Sequence, residues 1–158
     1  MTFTDAMSLG AARDKLRGLV EDGHCCPLCT QYAKVYRRNL SSSAARTLIL
    51  LHRHGGGSYI ELGPMLQVHA PALAGRGEST HGHWWGLMEQ PPEPREDGAK
   101  GNGLWRLTER GELFVCQKIA VPKYARIYDG QCLGLGGEWV NISTCLGNRF
   151  DYRELMDG

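Results

Sequence analysis

The stretch that decides the fold runs from Trp85-Gly86-Leu87-Met88-Glu89-Gln90 to Leu104-Trp105-Arg106-Leu107-Thr108-Glu109-Arg110-Gly111. Leu87 to Gln90 reads as a short strand, and Leu104 to Leu107 as a second one that returns beside it. Between them Pro91 to Gly103 is rich in proline, glycine and charge, the composition of a hairpin loop. Thr108 then supplies a side-chain oxygen for the free amides of a helix from Glu109 to about Cys116. Leu107 anchors the second strand in a core, and Gly111 permits close packing of the helix behind it.

Outward from this pair, the upstream text is helical. Ser41, Ser42 and Ser43 offer N-caps for a helix through about Arg53, with Ala44, Leu48 and Leu51 on one buried stripe. Gly55-Gly56-Gly57 ends it. Tyr59 to Gln67 reads as a short strand leading into a short helix, interrupted by Gly63-Pro64. Gly77 to Trp85 reads as a further helical piece, weakened by its glycines.

At the N-terminus, Leu9, Ala12, Leu16, Leu19 and Val20 recur at intervals of three and four, which predicts a helix from about Ala6 to Glu21 with Gly23 as its stop. His24-Cys25-Cys26-Pro27-Leu28-Cys29 is a tight turn. Downstream, Ala125 to Tyr128 and Glu138 to Ile142 read as strands separated by glycine-rich turns, and Phe150 to Met156 as a last helical turn.

Two pieces of this text resemble a known family. Trp85-Gly86-Leu87-Met88 resembles the join between recognition helix and first wing strand in bacterial winged helices. Trp105-Arg106-Leu107-Thr108-Glu109-Arg110-Gly111 resembles the exit of the wing in MarR-like regulators. The resemblance covers roughly residues 43 to 118, about half of the chain. More broadly the chain resembles small proteins of phages and prophages from GC-rich bacteria, through Cys26-Pro27-x-Cys29, Lys34 to Arg38, Val121 to Tyr128 and Phe150 to Met156. The expected fold is therefore α+β: an N-terminal helix and cysteine turn (1–42), a winged helix-turn-helix core (43–118) and a small β-rich extension (119–158).

A winged helix implies duplex DNA as the partner and a regulatory role, with the second helix of the motif in the major groove. On that helix Arg76, Ser79, Thr80, His81 and His83 are the candidate contacts, and on the wing Lys100 beside Arg95. The wing also carries Glu93, Glu96 and Asp97, a net negative charge that opposes standard docking. Positive charge concentrates elsewhere. From Gly23 to Ile60 no acidic residue occurs, while Lys34, Arg37, Arg38, Arg46 and Arg53 are all basic. These are candidate phosphate contacts. The bland alternative is a solvated basic face with Tyr32 and Tyr36 in the core. The alternative function is an adaptor that uses the same scaffold to bind a host or phage protein, either as a monomer or as a dimer.

Cys26 and Cys29 have the two-residue spacing that lets two thiolates reach one tetrahedral zinc from a tight turn. No second such pair exists, so the other ligands of a structural zinc would come singly from Cys25, His24, Cys116, Cys132, Cys145 or the paired histidines, with Cys132, in the knuckle-like turn Gly130-Gln131-Cys132-Leu133-Gly134, the first choice for the third. The fourth would come from Cys116, His24 or Cys145. His52-x-His54 and His81-x-His83 are poor chelates, because residues two apart on a helix diverge.

The whole-chain numbers restrict the remaining classes. Among 158 residues, 42% are hydrophobic and 22% charged, with a formal net charge of +1. These are values of an ordinary folded domain and not of a dedicated polyanion binder. No apolar run approaches a membrane span, and the first residues lack the pattern of a signal peptide, so reduced thiols and a cytoplasmic location are expected. No phosphate-binding loop, dinucleotide fingerprint, HExxH or G-x-S-x-G motif is present, and no enzymatic activity is expected.

Overall fold

The computed structural model describes residues 2–93, 96–98 and 103–158 as a mixed α+β protein with small antiparallel sheets. The chain divides into two compact units, one of the residues up to Arg38 with Arg126–Gly134, the other of Asn39–Ala125 with Leu135–Gly158. The segment read from sequence as an extension, 119–158, is thus shared between the two. None of the described helices is long and apolar enough to cross a membrane.

In the first unit, α1 (Leu9–Leu19) is capped by Ser8, whose Oγ accepts from the Ala11 amide at 3.1 Å. No residue of α1 itself is fully buried. The chain is tied back where Val35 donates to the Val20 carbonyl at 2.8 Å, and both side chains are buried. Strands β1 (His24–Cys25) and β2 (Tyr32–Ala33) pair antiparallel, Cys25 opposite Tyr32, so the cysteine turn is the loop of a small hairpin. Tyr32 and Tyr36 stand exposed on β2 and β3 (Tyr36–Asn39), which corrects the reading that places them in the core.

The second unit is built around α2 (Ser42–Gly55). Ser41 caps it, accepting from Ala44 at 3.1 Å, and Gly56 ends it in the left-handed region at φ 58°. Ala44, Ala45, Thr47 and Leu48 to Leu51 are all buried, which exceeds a single stripe. A helix apolar on nearly every side must be covered on nearly every side. Leu48, Ile49 and Leu51 each contribute about 1.5–3 kcal/mol by complete burial.

The elements that cover α2 follow in sequence. They are β4 (Ile60–Glu61), α3 (Leu62–His69), a 3₁₀ turn (Pro71–Leu73), a longer 3₁₀ segment (Gly77–Trp85), β5 (Met88–Glu89), β6 (Leu104–Leu107) and α4 (Glu109–Val115). The strands form a sheet in the order β4-β6-β5, with Ile60 opposite Trp105 and Met88 opposite Leu107. Arg106 crosses this sheet to Glu89, with an Nη2–Oε1 distance of 2.8 Å, and lies 4.4 Å over the Tyr59 ring.

The expected helix over 77–85 is a 3₁₀ segment, and its three-residue period sorts its side chains. Ser79, Gly82 and Trp85 form the buried row, at intervals of three. Gly82 packs tightly there: a Cβ would come within 3.1 Å of Leu48 and 3.3 Å of Met88, so those side chains would have to give way to a larger residue. The Trp85 indole donates to the Pro122 carbonyl at 2.7 Å.

The join between this segment and α4 uses every exposed carbonyl of the turn. Thr108 N donates to Leu87 O at 3.2 Å, Thr108 Oγ1 to Gly86 O at 2.5 Å, and Arg110 Nε to Trp85 O at 3.1 Å. Thr108 Oγ1 also accepts from Gly111 N at 3.0 Å, as the expected cap does.

Strands β7 (Val121–Tyr128) and β8 (Gln131–Val140) are joined by Asp129 and Gly130, both at positive φ, the backbone of a two-residue hairpin turn. Helices α5 (Ile142–Leu146) and α6 (Tyr152–Asp157) close the chain, capped by Asn141 and Asp151.

Gly111 gives the most direct test of the α4 docking. A Cβ at this position would sit 1.9 Å from the Leu87 carbonyl oxygen, a backbone atom that cannot move without breaking the Thr108 bond. Gly111→Ala is expected to destabilise the protein by about 1–3 kcal/mol or more, measured as a lower urea midpoint at unchanged slope. A neutral midpoint would mean that the helix does not dock as described.

Candidate nucleic-acid interface and thiol sites

The exposed rows of the 3₁₀ segment carry the residues that a ligand on this face of the second unit would meet. Arg76 precedes the segment as its N-cap and is exposed. Thr80 and His83 share one row, and His83 Nδ1 lies 2.6 Å from the Thr80 carbonyl, which fixes the ring. His81 and Trp84 share the other row and stack at 4.2 Å between ring centres. Ser79 is different. It is 2% exposed and its hydroxyl donates to the Leu73 carbonyl at 2.9 Å, so the expected contact residue is a structural one. Lys100 and Arg95 lie outside the described residues.

The basic block of the sequence is split between the units. Arg46 and Arg53 belong to α2 of the second unit. The Arg46 guanidinium covers the Phe150 ring at 4.9 Å with its Nε buried, and Arg53 Nη1 donates to Leu155 O at 3.1 Å. Both charges thereby help hold the C-terminal segment. Next to them His54 stacks on His69 at 3.7 Å. Burial first, then the charges of His69 and Arg53, hold His54 below the usual histidine range.

Lys34, Arg37 and Arg38 belong to the first unit, with Arg37 and Arg38 exposed on β3. Lys34 and Arg38 line a cavity of about 490 Å³ together with Cys26, Cys29, Tyr32 and Tyr128. The structure thus brings two groups of residues, read separately from sequence, to one place: part of the basic block and the cysteine pair.

Within the cysteine turn, Cys26 N donates to Gln31 O at 2.8 Å and Thr30 N to Cys26 O at 2.9 Å. The backbone N–H of Cys29, then that of Leu28, point at the Cys26 sulfur and hold its pKa below the ordinary thiol value. Cys132 is engaged elsewhere, its Sγ donating to Gly134 O at 3.6 Å. Among the described residues, no third ligand atom joins Cys26 and Cys29. The three residues that do come together with metal-ligand spacing are His52, Glu112 and Cys116, in the second unit. Sequence reading named Cys116 only as one of three choices for a fourth ligand, and set His52 aside with its neighbour His54. The divergence of that pair is real: His52 faces α4, whereas His54 faces His69.

Comparison with protein-family models, with curated proteins and with solved structures found no match.

The two extremes of thiol environment predict an order of reactivity. Burial pushes the Cys145 thiol up to about 11, while Cys26 is lowered and half-exposed. Because the thiolate is the nucleophile, iodoacetamide at neutral pH is expected to label Cys26 well before Cys145, read by peptide mass spectrometry over time. Equal rates at the two positions would contradict the hydrogen bonding of the cysteine turn.

Proposed function

We propose that this chain is a DNA-binding protein of the winged-helix type with a regulatory role, and that the 3₁₀ segment Gly77–Trp85 is its reading element. The observation that carries the reading is the order helix, strand, helix, 3₁₀ turn, 3₁₀ segment, strand, strand from α2 to β6, combined with the sheet order β4-β6-β5. In a winged helix the first strand adds to the outer side of the last strand, and the helix before the wing is free to enter a groove. Here the reading element is nine residues long, about 18 Å at roughly 2 Å per residue. Arg76 at its start supplies a cation for phosphate or a base edge, and Thr80 and His83 supply hydrogen-bonding groups on its outer row. Zinc on Cys26, Cys29 and Cys132 has no part in this reading.

A second reading, a protein-interaction adaptor, is favoured by a specific observation in the same unit. Val68 on α3 is 74% exposed and Trp139 on β8 is 68% exposed, and large apolar side chains in the open are typical anchors for a protein partner. The acidic residues Glu93, Glu96 and Asp97 of the loop after β5 also suit a basic protein better than a phosphate backbone.

One titration separates the two. Fluorescence anisotropy of a mixed-sequence duplex is expected to show binding at low salt that weakens steeply as salt rises. Arg76→Ala is expected to weaken it and to reduce the salt slope by about one. Full binding retained by Arg76→Ala together with His83→Ala would remove the 3₁₀ segment from the interface. No binding to any duplex at low salt would leave the adaptor reading.

A further inference from the structure

We propose that His52, Glu112 and Cys116 form a binding site for a divalent transition metal ion of the zinc class, which joins α2 to α4. This site is independent of the DNA-binding reading.

The placement follows from helix geometry. Glu112 and Cys116 are four residues apart, Glu112 within α4 and Cys116 at its C-cap, so their side chains lie on one face. The Cys116 amide donates to the Glu112 carbonyl at 3.0 Å, which keeps the last turn helical. His52 comes from the last turn of α2, which packs against that face. One nitrogen, one oxygen and one sulfur ligand atom lie within 4.8 Å of one another. All three residues are half-buried.

His52 Nδ1 and Glu112 Oε1 form an ion-pair contact at 2.5 Å, in which the buried nitrogen makes no well-directed hydrogen bond. Cys116 Sγ is 4.0 Å from the same oxygen. Ligand atoms that share one tetrahedral zinc are roughly 3.3–3.5 Å apart, from bonds of about 2.0 Å to nitrogen and oxygen and about 2.3 Å to sulfur. The two observed separations fall on either side of that range, within reach of a small rotation of Glu112.

The donor set chooses the metal. Imidazole, carboxylate and thiolate together suit zinc or cobalt(II), whereas magnesium and calcium prefer oxygen ligands alone. Glutamate and thiolate also bring two negative charges to balance a divalent ion. Three protein ligands leave a fourth position. A cavity of about 340 Å³ is lined by two of the three ligand residues, His52 and Glu112, with Gly56, Gly57, Thr108 and Glu109.

The test uses the full chain, treated with chelator and titrated with Co²⁺ and then Zn²⁺. One Co²⁺ per chain is expected, with the visible bands of a tetrahedral ion and a sulfur-to-cobalt charge-transfer band, all displaced by Zn²⁺. Cys116→Ser should abolish the charge-transfer band, and His52→Gln should weaken binding at least tenfold. Cys26→Ser with Cys29→Ser should leave both unchanged. Zinc at a hundredfold excess over its Kd should raise Tm by roughly 5–10 °C in the wild type and not in Cys116→Ser. The metal-free variants are first compared by far-UV circular dichroism, and Glu112→Gln replaces any that fails to fold. Absence of stoichiometric Co²⁺ binding would overturn the proposal. So would a charge-transfer band that survives Cys116→Ser and disappears with the Cys26 and Cys29 replacements.

Discussion

The second unit depends on the contact between Gly111 and the Leu87 carbonyl. A chain leaving a 3₁₀ segment has carbonyl groups that the segment itself cannot satisfy, and buried ones are costly if unpaired. Trp85, Gly86 and Leu87 present three of them in succession, and all three are taken by Arg110 and Thr108. Such an arrangement requires the backbone of α4 to approach the backbone of the turn more closely than any Cβ allows. Gly111 makes the approach feasible, and the threonine cap fixes its direction. The strand β6, the 3₁₀ segment and the helix that carries Glu112 and Cys116 are consequently held in one frame.

Within that frame the buried helix α2 meets different neighbours along its length. One end of its covering, the row Ser79, Gly82 and Trp85, is small at the point where Leu48 and Met88 press closest. This lets the segment lie low on α2 and turns its other two rows outward. Toward its C-terminus α2 emerges from the core, and His52, Arg53 and His54 meet three different environments: α4, the Leu155 carbonyl and His69. A run of basic residues on a helix end is thus dispersed by geometry into separate tasks, two of them structural. Its contribution to a phosphate-binding face is correspondingly smaller than the sequence suggests.

The first unit follows a different logic. It has few fully buried side chains and is organised by backbone pairing around the cysteine turn, with Val20 and Val35 as its apolar tie. Its aromatic residues Tyr32 and Tyr36 are exposed beside Lys34 and Arg38 rather than packed inside. With so little core to define it, local hydrogen bonds decide the character of its thiols, which is why Cys26 differs so clearly from the half-buried Cys145 of the other unit.

Much of this was determined by the sequence alone. Serine and threonine before apolar runs placed the starts of α2 and α4, the glycine triplet after His54 ended α2, and apolar runs on either side of a proline- and glycine-rich loop placed β5 and β6. These are local effects, because a cap or a turn is satisfied within a few residues. The 3₁₀ character of residues 77–85 was not legible, since the row of Ser79, Gly82 and Trp85 shares no common chemistry and is marked as the buried one only by its packing. Nor was the grouping of His52 with Glu112 and Cys116, which are sixty residues apart in the chain and carry no spacing signal that joins them. Only the packing of α4 on α2 brings those ligand atoms together. Packing of that kind is decided by shape and burial across the whole unit, and not by any neighbourhood of the sequence.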